Sequence, residues 1–126
     1  MTDFKELEFK TLISIDHIVG QTALDGQDRL IFTTRCGKRY EMYHSQDCCE
    51  SVNIEDICGD LEDLLDTPVF LAEEVSNFKE GGGCGSETWT FYKIVTAKGG
   101  VTIRWYGTSN GYYSEEVNFT EIKDGE

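Results

Sequence analysis

The sequence predicts an α+β domain that is mostly antiparallel sheet, with six or seven strands and one short acidic helix in the middle of the chain. Three observations support this class. β-rich runs with alternating apolar residues recur along the chain, turn residues separate them, and only one segment has helical apolar spacing. The 126 residues suit a single domain, residues 1–126, because a chain of this length buries one core.

Three of the β-rich runs precede the predicted helix. In residues 11–19, apolar and polar side chains roughly alternate, which is typical of a half-buried strand. Residues 29–34 and 38–44 flank the short connector Arg35-Cys36-Gly37. A short Gly-containing connector between two β-rich runs predicts a hairpin.

Residues 53–66 form the predicted helix. Asn53 is a suitable N-cap, whereas Gly59 weakens the middle and Pro68 ends the segment. The apolar residues of this segment fall at helical intervals: Ile54, Ile57, Leu61, Leu64 and Leu65. The opposite face of the predicted helix is acidic.

The second half of the chain is again β-rich. Residues 69–75 are predicted to form a strand, and the glycine run at 81–85 predicts a flexible loop over about residues 77–86. The Asn110-Gly111 pair predicts a hairpin turn between the last two runs, because both residues tolerate the backbone angles that such a turn needs. The last three predicted strands are residues 88–96, 101–107 and 112–119.

Composition excludes several classes of function. Twenty-four acidic against eleven basic residues give a net charge of -13, which disfavours direct binding to nucleic acid or to an anionic membrane. The sequence contains no HExxH, Walker or GxGxxG motif, so we expect no enzyme. It also lacks an apolar run near eighteen residues and a signal segment, and we expect a cytoplasmic protein whose five cysteines are mostly thiols.

The first candidate site lies in residues 44–50, where side chains able to bind a metal or act as a nucleophile cluster: His44, Asp47, Cys48, Cys49 and Glu50. One interpretation is a zinc site or a reactive thiol beside an imidazole. However, adjacent cysteines do not easily reach one ion, so the structural interpretation is favoured and no cofactor is expected. In that interpretation one cysteine packs inward and the polar residues cap the entry into the helix.

The second candidate is an acidic tract between residues 47 and 66 that contains no Lys or Arg. It is either a solvated helix face or a surface that mimics nucleic acid and docks on a basic protein. The residues of the predicted acidic face are Glu55, Asp56, Asp60, Glu62, Asp63 and Asp66.

The third candidate is an aromatic and arginine-containing surface in the C-terminal half. Strand alternation places residues 89, 91 and 93 on one face, and residues 102, 104 and 106 on one face of their own strand. These side chains belong to the core, or they stack a planar anionic ligand, or they anchor a protein interface. The predicted binding residues are Arg104, Tyr106, Ser109, Asn110, Tyr112 and Tyr113.

Two segments, residues 42–74 and 87–119, resemble a family of small uncharacterised proteins encoded by phages and prophages. The strings that carry the resemblance are HSQDCCE at residues 44–50 and WYGTSNGYY at residues 105–113. The resemblance implies an accessory protein that acts in the cytoplasm of an infected bacterium, and no activity is implied.

Together these observations predict a non-enzymatic binding protein that inhibits a host or defence protein or sequesters a small nucleotide-like ligand. The alternatives are an acidic mimic of nucleic acid and a small zinc- or thiol-dependent protein. The expected partner is a host protein or a small anionic ligand, and unprotected edge strands make a homodimer a further expectation.

Overall fold

The structure, a computed structural model, describes residues 3–18, 28–45, 50–80, 85–110 and 115–122. These residues form eight strands and two short 3-10 turns, Phe4–Leu7 and Leu61–Leu64. The strands are β1 (Leu12–Ile18), β2 (Arg29–Thr34), β3 (Arg39–Tyr43), β4 (Ser51–Cys58), β5 (Val69–Glu80), β6 (Ser86–Thr96), β7 (Gly99–Ser109) and β8 (Asn118–Ile122).

The strands form two four-stranded antiparallel sheets. Sheet 1 has the order β1-β2-β3-β8, and sheet 2 has the order β4-β7-β6-β5. Buried apolar residues from both sheets form one core. Trp105 of sheet 2 reaches into this core, and its indole Nε1 donates to the Sδ atom of Met42 in sheet 1 at 3.2 Å. The buried face of each sheet therefore faces the other sheet, as in a β-sandwich.

The N-terminal 3-10 turn packs against both sheets. Phe4 is 3% exposed, and its ring lies 4.7 Å from that of Tyr92 in sheet 2 and 5.2 Å from that of Phe119 in sheet 1, both in edge-on geometry. Such aromatic pairs are stabilising beyond the area that they bury. The turn thus belongs to the core rather than to a loose N-terminal arm.

The prediction of a helix over residues 53–66, and with it the α+β class, is wrong. Most of this segment is strand β4 followed by a single 3-10 turn, and the described residues contain no longer helix. A β-bulge between Ile54 and Asp56 adds one residue to β4, so Ile54 and Ile57 both pair with inward-facing residues of β7. Gly59 then turns the chain at a φ of 114°. Because of the bulge and the turn, the apolar residues of this segment have the spacing of a helix although the segment is not helical.

The predicted hairpin at Asn110-Gly111 is also wrong. After β7 the chain leaves sheet 2, and β8 pairs with β3 in sheet 1, with Phe119 opposite Met42. The last strand begins at Asn118, and residues 111–114 lie outside the described residues. The connection after Asn110 is therefore a crossover between sheets.

The other strands agree with the predictions. β2 and β3 form the predicted hairpin, and β6 and β7 form a second hairpin around residues 97–98. At the predicted flexible loop, β5 extends to Glu80 and β6 begins at Ser86, which leaves residues 81–84 outside the described part of the chain.

Candidate functional site

The outer face of sheet 2, which points away from the core, carries the candidate site. Alternation along β6 buries Tyr92 and leaves Trp89 and Phe91 partly exposed. Along β7 it buries Trp105 and leaves Tyr106 partly exposed. We use the name outer aromatic face for five residues on the outer face of sheet 2: Val75, Trp89, Phe91, Arg104 and Tyr106.

Strand register brings these side chains together. Trp89 lies opposite Tyr106, and their ring centroids are 5.1 Å apart at an interplanar angle of 44°. Two residues further along β6, Phe91 lies between Val75 of β5 and Arg104 of β7. Cross-strand neighbours at this spacing are in reach of one another. The outer aromatic face thus spans three adjacent strands.

Acidic side chains surround the polar groups of this face. The hydroxyl of Tyr106 donates to the Glu87 carboxylate at 2.7 Å, and this hydrogen bond raises the pKa of Tyr106. Nε of Arg104 lies 2.7 Å from the carboxylate of Glu55, which the β4 bulge places beside it. Both side chains of this ion pair are nearly 40% exposed, at 39% and 38%. The guanidinium therefore already has an anionic partner.

The structure does not bring the predicted binding residues into one rim. Arg104 and Tyr106 face outward, whereas the Ser109 hydroxyl donates to Glu115 in the opposite direction, toward the core side. Asn110 lies at the end of β7, and Tyr112 and Tyr113 lie outside the described residues. The aromatic residues that accompany Arg104 are instead Trp89 and Phe91 from β6.

Glu115 is the centre of a buried polar cluster at the end of sheet 2. Its carboxylate accepts hydrogen bonds from the hydroxyls of Thr88 at 2.7 Å, Ser109 at 2.6 Å, and Ser86. Burial raises the pKa of the Glu115 carboxyl, but the three hydrogen bonds together outweigh burial and hold the pKa below its ordinary value. Sequence patterns do not single out Glu115 as a site residue, because a single Glu in a β-rich run carries no signal of burial.

The His44 candidate site has a closed hydrogen-bonding arrangement. Nδ1 of His44 lies 2.6 Å from the backbone carbonyl of Glu116, so Nδ1 carries a proton, and Nε2 lies 2.8 Å from the Glu50 carboxylate. The side chains of His44 and Glu50 are 2% and 0% exposed. A metal ion at Nε2 would have to displace Glu50.

The remaining members of that candidate site, Asp47, Cys48 and Cys49, lie outside the described residues. Within the described ranges, no group of three His, Cys, Asp or Glu side chains is arranged to hold a metal ion. The described geometry thus shows a structural pair that links the end of β3, the start of β4 and the segment before β8.

The predicted acidic face does not lie on a helix, since its residues belong to different elements. Glu55 and Asp56 are in β4, and Asp60 caps the second 3-10 turn by accepting from the Glu62 backbone. Asp66 follows that turn and lies 3.8 Å from Arg35. These acids thus belong to β4, to the second 3-10 turn and to the residues flanking that turn, and they do not form one continuous helical stripe.

Fold and site define a two-sheet antiparallel domain with an aromatic outer face. The family model described as "Domain of unknown function (DUF7448)" matches residues 5–119, and the chain belongs to this family. Neither a curated protein nor a solved structure matches the chain. No helix in the described part of the chain has the length and apolar character needed to span a membrane.

Proposed function

We propose that this protein is a non-enzymatic binding protein that recognises a partner protein through the outer aromatic face. The observation that carries the proposal is the alignment of Trp89, Phe91 and Tyr106 with Arg104 on one partly exposed sheet surface. Outward-facing positions of a sandwich are usually polar. Aromatic and Arg side chains are the residues enriched at the centres of protein interfaces.

The geometry favours a protein partner over a small anionic ligand. Small ligands bind mainly in concave sites, whereas this surface is one face of a sheet. Arg104 is also paired with Glu55, which weakens its attraction for a phosphate or carboxylate. In the setting that the sequence resemblance implies, the partner is a host or defence protein in the bacterial cytoplasm.

Binding experiments with matched variants test the proposal. The tagged chain is used to capture proteins from a bacterial lysate, and each candidate partner is then purified and titrated by calorimetry. Trp89→Ala and Phe91→Ala should each weaken binding at least about tenfold, because truncation of a central hot-spot residue costs about 2 kcal/mol or more and about 1.4 kcal/mol corresponds to tenfold. Ile13→Ala is the control, since Ile13 is an exposed apolar residue (45%) of sheet 1.

Three results would count against the proposal. One is a partner whose affinity is unchanged by both aromatic variants. Another is equal weakening by the sheet 1 control. The third is a small molecule retained in native mass spectrometry and lost on Arg104→Ala, which would favour the ligand-binding alternative. Circular dichroism of each variant separates lost binding from lost folding.

A further inference from the structure

We propose that two copies of the chain form a symmetric dimer through antiparallel pairing of their β5 strands. The pairing covers residues 73–79 and joins the two copies of sheet 2 into one eight-stranded sheet. This inference is independent of the proposed function, because it concerns the edge of sheet 2 and not the binding of a different protein.

The other edge of sheet 2 is protected against strand addition. β4 contains the bulge between Ile54 and Asp56, and Glu55 and Asp56 place two acidic side chains along it. The Ile54 N–H also donates to the Asp28 carboxylate at 3.0 Å. Bulges, charges and capped backbone groups are the usual features that prevent edge-to-edge association. Strand addition at β4 is therefore disfavoured.

The first part of β5 is covered by the N-terminal segment of the same chain. Val69 exchanges backbone hydrogen bonds with Phe9 and Lys10 at 2.7 and 2.9 Å. The Ala72 N–H donates to the Glu8 carboxylate at 3.0 Å. These bonds show that the backbone groups of Val69 and Ala72 point away from β6. Among the described residues, the hydrogen bonds of the N-terminal segment to β5 end at Ala72.

Beyond Ala72, the outward backbone groups of β5 have no hydrogen-bond partner among the described residues. Because backbone groups alternate in direction along a strand, those of Glu74, Ser76 and Phe78 point the same way as those of Ala72. Among the described residues, none hydrogen-bonds to these groups. The same stretch exposes two apolar side chains, Val75 at 47% and Phe78 at 65%. A long, open edge with exposed apolar residues is a template for pairing with another strand.

Charge complementarity favours a second copy of this chain as the occupant and selects one register. With the two-fold axis at Ser76, Glu73 lies opposite Lys79 of the partner subunit, and symmetry repeats this ion pair. Val75 then lies diagonally across from Val75 of the partner subunit, on the same face. Residues 74–78 of the two chains exchange about six backbone hydrogen bonds.

Neighbouring registers lack this complementarity. An axis at Asn77 places Val75 opposite Lys79 of the partner subunit, and an axis at Val75 places Glu73 opposite Asn77 of the partner subunit. Both lose the two ion pairs. Opposite charges across strands are stabilising, and like charges are destabilising. The Ser76 register also ends the ladder where the Glu8 cap on Ala72 begins.

Sedimentation velocity of the 126-residue chain over a concentration series tests the dimer. The 14.3 kDa chain should shift toward twice this mass as concentration rises. Ser76→Pro removes a backbone donor that no described residue accepts from, and it should weaken the dimer at least about tenfold. Proline is tolerated on edge strands but cannot donate to a pairing strand. Ser76→Thr keeps the donor and should dimerise like the parent.

A charge-reversal cycle tests the register. Glu73→Lys and Lys79→Glu each place like charges opposite one another and should weaken the dimer, whereas the double variant restores the pairs and the affinity. Circular dichroism shows which variants fold, and if Ser76→Pro does not fold, the cycle alone decides.

Three results would overturn the proposal: a parent chain that stays monomeric at the highest concentration, a dimer that folded Ser76→Pro leaves unchanged, and a double charge variant that does not regain affinity. Each concerns self-association alone, so it is distinct from a failure to bind another protein through the outer aromatic face.

Discussion

Replacement of Glu115 should destabilise the fold, because this residue attaches the crossover between the sheets to the end of sheet 2. Its carboxylate accepts from Ser86, Thr88 and Ser109, and Glu115 itself is 6% exposed. The next inward residue, Val117, is 4% exposed and belongs to the core. Loss of the carboxylate therefore affects both the polar cluster and the path of the chain into β8.

The magnitude follows from the hydrogen bonds. A hydrogen bond to a charged group contributes about 1.5–3 kcal/mol, against about 1 kcal/mol for a neutral pair. Glu115→Gln keeps an acceptor oxygen but loses the charge, so we expect a loss of about 1–3 kcal/mol in the free energy of unfolding. Glu115→Ala removes the acceptor for all three hydroxyls and should cost about 2–4 kcal/mol.

The pH dependence has a definite sign. Burial raises the pKa of Glu115, the hydrogen bonds from Ser109, Ser86 and Thr88 lower it more, and the folded-state pKa lies below its ordinary value. A depressed carboxyl pKa gives stability that is fully present above the unfolded-state pKa, about 4.3, and is lost as pH falls through the folded-state pKa. The stability difference between the parent and Glu115→Gln should therefore shrink in acid.

Urea denaturation followed by the fluorescence of Trp89 and Trp105 measures these differences at neutral pH and in a series down to about pH 3. Glu62→Gln is the control, because it removes the same charge from an exposed side chain. Equal stability of parent and Glu115→Gln at neutral pH, or a difference that stays constant into acid, would refute the role of the carboxylate.

Three further predictions concern the buried His44–Glu50 pair, the turn at Gly59 and the thiols of two cysteines. Glu50→Ala should lower stability by about 3–5 kcal/mol in urea denaturation because His44 loses its buried partner, and Glu50→Gln should cost clearly less; equal costs would contradict this. Gly59→Ala should cost about 1–3 kcal/mol, since its φ is 114° and a Cβ would meet the Gly100 carbonyl at 2.7 Å; unchanged stability would disprove the constraint. Iodoacetamide mapping should show faster alkylation of Cys36 than of Cys58 at neutral pH, because a hydrogen bond with Thr34 lowers the pKa of Cys36 and one with Asp56 raises that of Cys58; the reverse order would contradict it.

Alternation of apolar and polar residues predicts a strand correctly where that strand pairs without a bulge. In β2, β3, β6 and β7 the apolar residues alternate without a bulge. β2 and β3 form the hairpin that the connector at residues 35–37 predicts, and β6 and β7 form a second hairpin. The shared faces of Trp89 with Phe91 and of Arg104 with Tyr106 are also confirmed, because side-chain alternation needs no tertiary information.

Two errors have the same physical origin, namely that long-range pairing overrides a local signal. The β4 bulge moves Ile57 to the buried face three residues after Ile54, which is the spacing of a helix, and only the pairing with β7 shows it to be a strand. Asn110-Gly111 is a good hairpin turn locally, yet β8 finds its partner in β3 of the other sheet. Neither pairing can be inferred from a short window of sequence.

Alternation also leaves open which face of a strand is buried, and the proposed function depends on this choice. In β7, Trp105 and Tyr106 are adjacent aromatic residues, and Trp105 enters the core beside Met42 while Tyr106 faces outward beside Trp89. Trp89, Phe91 and Tyr106 do not belong to the core cluster, so packing of that core does not explain their presence. An aromatic face and an open β5 edge both favour association, whereas the net charge of -13 opposes it between copies. We therefore expect association only through contacts with specific complementarity, such as the proposed Glu73 and Lys79 pairs across two β5 strands.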